Sequence, residues 1–282
     1  MSTIKERRDE LQSHETVRLI TRALRDISAL NLHSIRKEVE KGQSYFKEIE
    51  NLYKLIKIYA EKRKVTLRSK EGETYGTLFV AVTSNKRLYG SLNKKVMGAF
   101  QGQMDRDPAG AFLIIGETGK EFFKGTPYEK RCMFFEFKSD DPTPYETIVF
   151  VDTTRRYENV FMFYPKFINV FKQDTTLRDI AYIPSTPQKE TATSVDYIFE
   201  PELGEIFWFF ETQVRYILFN QVLLEIKLAR VASRLLRMNM AEQSVTEVIQ
   251  RQRIRLGKAY SSLVNIRLLE VFSGIHKWKK NL

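Results

Sequence analysis

The chain has 282 residues, of which 43% are hydrophobic, so it can bury a sizeable core and an intrinsically disordered protein is excluded. Its net charge of +11 indicates acidic partners: nucleic acid, anionic lipid or an acidic protein surface. We expect a cytoplasmic protein, because no twenty-residue apolar run or targeting signal is present. The single cysteine, Cys132, cannot form an internal disulfide and is predicted to be a core residue.

The first element is a predicted long helix, from about residue 2 to residue 63, with no proline and only Gly42 as a breaker. Its apolar residues fall into two sets at helical spacing, which differ in register, so we expect a stutter near Leu30. The sets are Val17, Ile20, Leu24 and Ile27, followed by Ile35, Val39, Phe46, Ile49, Tyr53 and Ile56.

Prolines, glycines and short β-rich runs then predict an α/β domain. Residues 77–83 and 111–116 are apolar runs typical of buried strands, and residues 91–104 between them have helical spacing. This strand–helix–strand unit implies a parallel sheet, with further strands at 132–137 and 160–171. Thr143, Pro144 and Glu146 form a capping-box pattern that favours a helix, although the β-rich run 148–151 favours a strand.

The last element is a predicted helix over residues 201–272, whose apolar stripe alternates steps of four and three residues. A 3.5-residue repeat implies a supercoil against a partner helix, and the N-terminal helix supplies one. The stripe comprises Leu203, Phe207, Phe210, Val214, Ile217, Leu224, Leu228, Val231, Leu235, Met238, Val245, Ile249, Leu256, Ala259, Leu263 and Ile266. The predicted fold is therefore α/β: a long antiparallel coiled coil (1–64 and 201–282) with an inserted small Rossmann-like domain (65–200).

No pattern predicts a catalytic, cofactor or metal site. His14, His33 and His276 lack the paired spacing of metal ligands. The loop after the first strand carries one glycine, whereas a dinucleotide fingerprint needs three. Asp140 and Asp141 lie beside a proline and are interpreted as a solvated turn.

The second half of the C-terminal helix is strongly basic. Between residues 227 and 267 only Glu242 and Glu247 oppose nine cations, and this imbalance favours an acidic partner over a merely solvated face. The cations are Lys227, Arg230, Arg234, Arg237, Arg251, Arg253, Arg255, Lys258 and Arg267.

Four segments occur in an order that resembles a known family. They are TVRLITRAL at 16–24, TSNKRLYGSLN at 83–93, SRLLRMNMA at 233–241 and LLEVFSG at 268–274. Together they resemble motifs of the gamma subunit of F-type ATP synthases. The chain departs from the family where Tyr260-Ser261 replaces an Arg-Gln pair, where Lys86-Arg87 replaces Arg-Gly, and where Tyr89 starts a segment that is Cys-Gly-Gly in the family.

The resemblance implies a non-catalytic central rotor shaft without cofactors, which couples ATP hydrolysis or synthesis to rotation. The implied partners are alternating alpha and beta nucleotide-binding subunits around the coiled coil, an epsilon-like subunit, and a membrane rotor ring or other attachment protein, with no nucleic acid. The implied position is cytoplasmic, peripheral at the inner face of the cell membrane. Residues carried over as ring-binding are Arg234, Arg237, Met238, Arg251, Arg253, Arg255, Lys258, Tyr260 and Ser261, with Arg22, Leu24, Lys86 and Arg87 as further candidates.

Three other functions remain open at this point. The departures are compatible with a gamma-like shaft of a specialised ATPase that is not coupled to protons, for example one linked to motility in wall-less bacteria. A basic coiled-coil scaffold could use the same arginines to bind nucleic acid or anionic lipid. An α/β enzyme with helical extensions is disfavoured because the sequence contains no catalytic cluster.

Overall fold

The computed structural model describes residues 4–62, 75–181, 200 and 203–280. The elements are α1 (Ile4–Lys62), β1 (Tyr75–Val82), α2 (Leu92–Arg106), β2 (Ala111–Ile115), α3 (Glu117–Phe123), a 3₁₀ turn (Glu129–Arg131), β3 (Cys132–Phe135), α4 (Pro144–Thr154), β4 (Tyr157–Phe167), β5 (Gln173–Asp179) and α5 (Leu203–Lys280). The predicted combination of long terminal helices and a central α/β sheet is confirmed.

The chain divides into two compact units. Unit 1 comprises Met1–Ser28 with Leu235–Leu282, and unit 2 comprises Ala29–Arg234. Parts of α1 and α5 therefore pack with the sheet in unit 2, and the grouping differs from the three segments drawn from the sequence. No helix in the described part of the chain is both long and apolar enough to cross a membrane.

Unit 2 contains a five-stranded sheet in the order β3-β2-β1-β4-β5. The first four strands are parallel, and β5 runs antiparallel to β4. The strands predicted at 77–83, 111–116 and 132–137 and the helix predicted at 91–104 are confirmed. The strand predicted at 160–171 is confirmed for residues 160–167, which belong to β4. A turn follows, in which the amide N–H of Ile168 donates to the carbonyl of Lys172 at 3.2 Å. The sequence does not predict β5, because this edge strand, QDTTLRD, is polar and mostly half-buried.

Alternate residues of the central strands fill a core on each face of the sheet. On one face, Phe79 packs between Phe112 and Phe161, with ring centroids 5.5 and 5.8 Å apart, and α2 covers this cluster. On the other face, Phe150 of α4 stacks on Phe219 of α5 with a centroid distance of 4.4 Å. Burying each such side chain stabilises the fold by about 1.5–3 kcal/mol, so the sheet holds α5 firmly.

The capping box determines the conformation of α4. The amide N–H of Glu146 donates to Thr143 Oγ1 at 3.3 Å, and the Glu146 carboxylate accepts from the Thr143 amide at 2.8 Å. A further hydrogen bond from the Lys138 amide lowers the pKa of Glu146. The predicted helix is confirmed, and the β-rich run after it lies in the helix with Phe150 and Val151 buried.

In unit 2, α5 is buried on more than the predicted stripe. The stripe residues Leu228 and Val231 pack against Ile35 and Val39 of α1, as the coiled-coil pattern predicts. A second set of α5 side chains, Leu218, Phe219, Val222 and Ile226, packs on the sheet. The heptad pattern identified the helix–helix contact and missed the helix–sheet contact.

The predicted register of α1 in unit 1 is wrong. Ser28 and Thr21 are buried, with Ser28 only 1% exposed, whereas Ile20 is 54% exposed and Val17 and Ile27 are also exposed. Positions 21, 28 and 35 are seven residues apart and all buried, so the buried register does not change near Leu30. The buried hydroxyls are satisfied within the helix, because they donate to the carbonyls of Val17 and Leu24.

Candidate partner-binding surface

In unit 1, α1 and α5 form an antiparallel pair held by charged side chains. Arg25 donates to Glu242, and Arg253 donates to Glu15 at 2.6 Å. Residue numbers rise on one helix as they fall on the other, so the helices are antiparallel. Glu242 is half-buried against Arg25, and Arg25 also contacts Asp26 at 2.8 Å.

The predicted ring-binding cations divide into paired and unpaired groups. Arg251 contacts Glu247, one turn earlier on α5, at 3.2 Å, and both side chains are about two-thirds exposed. Arg255 and Lys258 are exposed, and no ion pair to either side chain occurs among the described residues. Arg237 is exposed as well. These cations are accessible to an acidic partner.

The remaining candidates in unit 1 differ in exposure. Met238 is buried, so it contributes to the hairpin core and presents little surface. Leu24 is half-buried, whereas Arg22, Tyr260 and Ser261 are exposed. The predicted set therefore contains accessible side chains and one buried side chain, Met238, that packs inside the hairpin.

The end of α5 exposes many large apolar side chains. They are Val264, Ile266, Leu268, Leu269, Val271, Phe272 and Ile275, each at least half exposed. Exposed apolar residues grouped at one end of a helix are typical of a protein-binding surface. The predicted stripe residue Ile266 is among them, so the coiled-coil seam ends before this point.

In unit 2, the loop after β1 carries Lys86 and Arg87 at the surface and Tyr89 beneath it. Arg87 donates to Glu121 at 2.6 Å, and both side chains are at least half exposed. Tyr89 is 4% exposed, and the Arg234 guanidinium lies 4.8 Å from its ring centroid. The next residue, Gly90, has a φ of 60°, a conformation that a residue with a side chain rarely adopts.

The Tyr89 hydroxyl connects this loop to α5. It donates to Asp140 Oδ2 at 3.0 Å and accepts a hydrogen bond from Arg234 at 2.6 Å. Burial, together with the charge of Asp140, raises the pKa of Tyr89. Arg234, which the sequence predicts as ring-binding, therefore hydrogen-bonds to a loop of its own chain.

Asp140 is not part of a solvated turn, so that prediction is wrong for this residue. Its side chain is 12% exposed and accepts from the Asn85 amide at 2.6 Å. Arg230 lies beside it and donates to the carbonyls of Thr83 at 2.8 Å and Asp140 at 3.1 Å. Asp141 is exposed, as predicted. The sequence does not predict this network, because its members are separated by about 50 to 150 positions and share no local pattern.

The Arg230 side chain is only 7% exposed, and burial lowers its pKa despite the nearby carboxylates. The loop after β1, the loop before α4 and α5 are thus joined by buried charged hydrogen bonds, which are stronger than exposed ones. No group of three potential metal ligands occurs within residues 4–62, 75–181 and 203–280.

The chain is defined by two long terminal helices, by an α/β sheet that lies between them in sequence, and by the exposed cations and apolar side chains of α5. Residues 3–276 match the model of the ATP synthase family (ATP-synt), and the chain belongs to this family.

Relatives align along nearly the whole chain. The ATP synthase gamma chain of Protochlamydia amoebophila is 21% identical over 97% of this chain and 98% of its own length. The ATP synthase gamma chain of Cytophaga hutchinsonii is 24% identical over the same shares. The fold is similar to that of a chain in the central stalk and c-ring structure of the Tetrahymena thermophila mitochondrial ATP synthase. That chain has a TM-score of 0.58 and 18% identity, with 79% of this chain and 99% of the other covered.

Proposed function

We propose that the chain is the gamma subunit, the central-stalk rotor shaft of an F-type or F-type-like rotary ATPase. The observation that carries this proposal is the family match over residues 3–276, which spans both terminal helices and the inserted sheet domain. The exposed apolar end of α5 and its accessible cations supply the surface that a surrounding ring of alpha and beta subunits would contact.

The two kinds of contact suit the two tasks of a rotor. Exposed ion pairs contribute only about 0–1 kcal/mol each, so cations such as Arg255 and Lys258 can break and remake contacts with a ring as the shaft turns. Arg230 and Arg234 instead bind the α/β domain through buried hydrogen bonds. Breaking a buried charged contact typically costs several kcal/mol, so the domain turns with the helix without slipping.

The remaining parts of the proposal concern partners and place. The segments 1–64 and 201–282 form the shaft, and 65–200 contacts an epsilon-like subunit and a membrane rotor ring or other attachment protein. The complex lies at the inner face of the cell membrane, and the chain itself is not catalytic.

Native co-purification tests the proposal. Tagged full-length chain should bring down two larger nucleotide-binding subunits in comparable amounts. A chain recovered without them would contradict the rotor role. Recovery of those subunits without any membrane rotor ring would favour the specialised shaft that is not coupled to protons.

A second prediction is that the purified chain alone hydrolyses no ATP, since the sequence holds no glycine-rich phosphate loop or activated base. A coupled-enzyme ATPase assay of the isolated chain checks it. Turnover that follows the chain through purification and disappears on changing Gly90 would contradict a non-catalytic role.

A further inference from the structure

Unit 2 contains a cavity lined by four cationic side chains and three carboxylates. It has a volume of about 290 Å³ and lies between α1, α5, the loop after β1 and the loop before α4. Lys86, Lys227, Arg230 and Arg234 all line it. The volume lies near the lower end of the range for small-molecule sites, so a small ligand fits.

Two of these cations have hydrogen-bonding capacity that the protein does not use. The Nε–H groups of Arg230 and Arg234 are buried and have no acceptor among the described residues. A buried guanidinium N–H without a partner is costly, and native proteins rarely tolerate one without water or an ion. A neighbouring space, of about 10 Å³, is also lined by Arg230 and has room for one water molecule. Arg234 does not line that space and still needs an acceptor.

The three carboxylates leave the cavity with a formal charge of +1, and Arg230 lies 3.8 Å from Asp140. Asp140 already accepts hydrogen bonds from the Asn85 amide and the Tyr89 hydroxyl. Asp141 pairs with Lys227 at 3.4 Å, and Glu38 is exposed. Lys86 is exposed and has no ion pair within the described ranges. The unsatisfied groups are therefore donors, and the cavity fits an anion better than a cation.

We propose that this cavity binds a small phosphate-bearing anion, either inorganic phosphate or the phosphoryl group of a nucleotide. Arginine N–H groups and phosphate oxygens form short, charge-assisted hydrogen bonds, and a phosphoryl group offers several acceptors at once. Arg234 and Arg230 supply the buried donors, and Lys86 supplies a mobile charge at the entrance. The bound anion connects α5 to the loop after β1, next to the Tyr89–Asp140 contact. The site goes beyond the rotor role and does not depend on it.

Isothermal titration of the full-length chain with phosphate, ADP and ATP tests the proposal, with potassium chloride at equal ionic strength as the reference. We expect one saturable site for at least one phosphate-bearing ligand. Saturation by phosphate identifies the free anion as sufficient, and saturation only by ADP or ATP identifies a nucleotide. Heat that never saturates, or that equals the chloride reference for every ligand, overturns the proposal.

Three variants locate the site. Arg234→Gln and Lys86→Gln should each weaken binding about tenfold or more, because each removes a charged donor. Lys94→Gln removes an equal charge from an exposed position of α2 that does not line the cavity, and it should bind like the original chain. Arg234→Gln also breaks the hydrogen bond to Tyr89, so circular dichroism checks that this variant still folds. Lys86→Gln leaves that hydrogen bond intact and therefore tests binding alone. Binding that is unchanged in Lys86→Gln and in a folded Arg234→Gln overturns the assignment.

Discussion

Tyr89 occupies the position where the family has the cysteine of a Cys-Gly-Gly segment, and its hydroxyl completes a buried network. Replacing Tyr89 with phenylalanine removes the hydroxyl, so Asp140 loses a hydrogen-bond donor and Arg234 loses an acceptor. We expect the Tyr89→Phe variant to lose about 1–3 kcal/mol of unfolding free energy in urea. Tyr145→Phe changes a hydroxyl that is mostly exposed and should stay within about 0.5 kcal/mol.

The raised pKa of Tyr89 also gives a pH dependence. Because folding stabilises the protonated phenol, its contribution is complete below the unfolded pKa of 10.0 and is lost as pH rises through the higher folded value. The stability difference between the original chain and Tyr89→Phe should therefore shrink above pH 10. A difference that grows with alkaline pH would show that the phenolate is favoured instead.

Cys132 is half-buried beside Met104, and burial raises its thiol pKa from 9.0 to about 11. At pH 8 only about a thousandth of such a thiol is the reactive thiolate. We expect iodoacetamide to alkylate the native chain slowly and the urea-unfolded chain many times faster. Equal rates in the two states would contradict the shielded position.

At the scale of elements, helical periodicity located α1 and α5 but did not determine which face of α1 is buried. The apolar set Val17, Ile20 and Ile27 resembles a seam in sequence, yet Thr21 and Ser28 occupy the seam. Their hydroxyls bond to their own helix, so burying them costs less than the residue types suggest. The edge strand β5 is not predicted by the sequence, because a half-exposed edge strand does not require an apolar run.

A pair of substitutions distinguishes the two registers of α1. Ile35→Ala removes a side chain that is 4% exposed and should cost about 2–5 kcal/mol of unfolding free energy. Ile20→Gln changes an exposed side chain of the first apolar set and should cost less than about 0.5 kcal/mol in the isolated chain. Denaturant unfolding of both variants measures the two costs. Ile35 is buried in both registers and serves as the reference, so a cost for Ile20→Gln as large as that for Ile35→Ala would restore the register predicted from sequence.

At the scale of the whole molecule, charge counting along the sequence found the basic half of α5 but treated its cations as equivalent. The structure separates them by what they contact. Arg230 and Arg234 are bound within unit 2, Arg253 is paired across the hairpin, and Arg255 and Lys258 are open to a partner. Such partners depend on tertiary neighbours far away in sequence, so no local pattern could have assigned them.

The proposed ring contact can be tested on these two open cations together with the paired Arg251 and Arg253. Replacing Arg251, Arg253, Arg255 and Lys258 together with glutamine should weaken assembly or slow the ATPase of a reconstituted complex. The helix should persist, since glutamine is nearly as good a helix former as arginine. Each exposed pair contributes only about 0.2–1 kcal/mol, so single changes should do little. The double change at Arg255 and Lys258 should account for more of the defect than the double change at Arg251 and Arg253, which already have intramolecular partners.

Salt and a matched control complete this test. Raising the ionic strength should impair the original complex in the same direction, because screening weakens exposed ion pairs, and it should affect the fourfold variant less. A control with Lys94, Lys124, Lys130 and Lys138 changed to glutamine loses the same charge from exposed positions of unit 2 and should assemble with the ring normally. The measurement is the ATPase rate and subunit recovery of the three complexes at low and high salt. If the fourfold variant equals the original at both salts, the four cations are a solvated face and the ring must contact the apolar end of α5 instead.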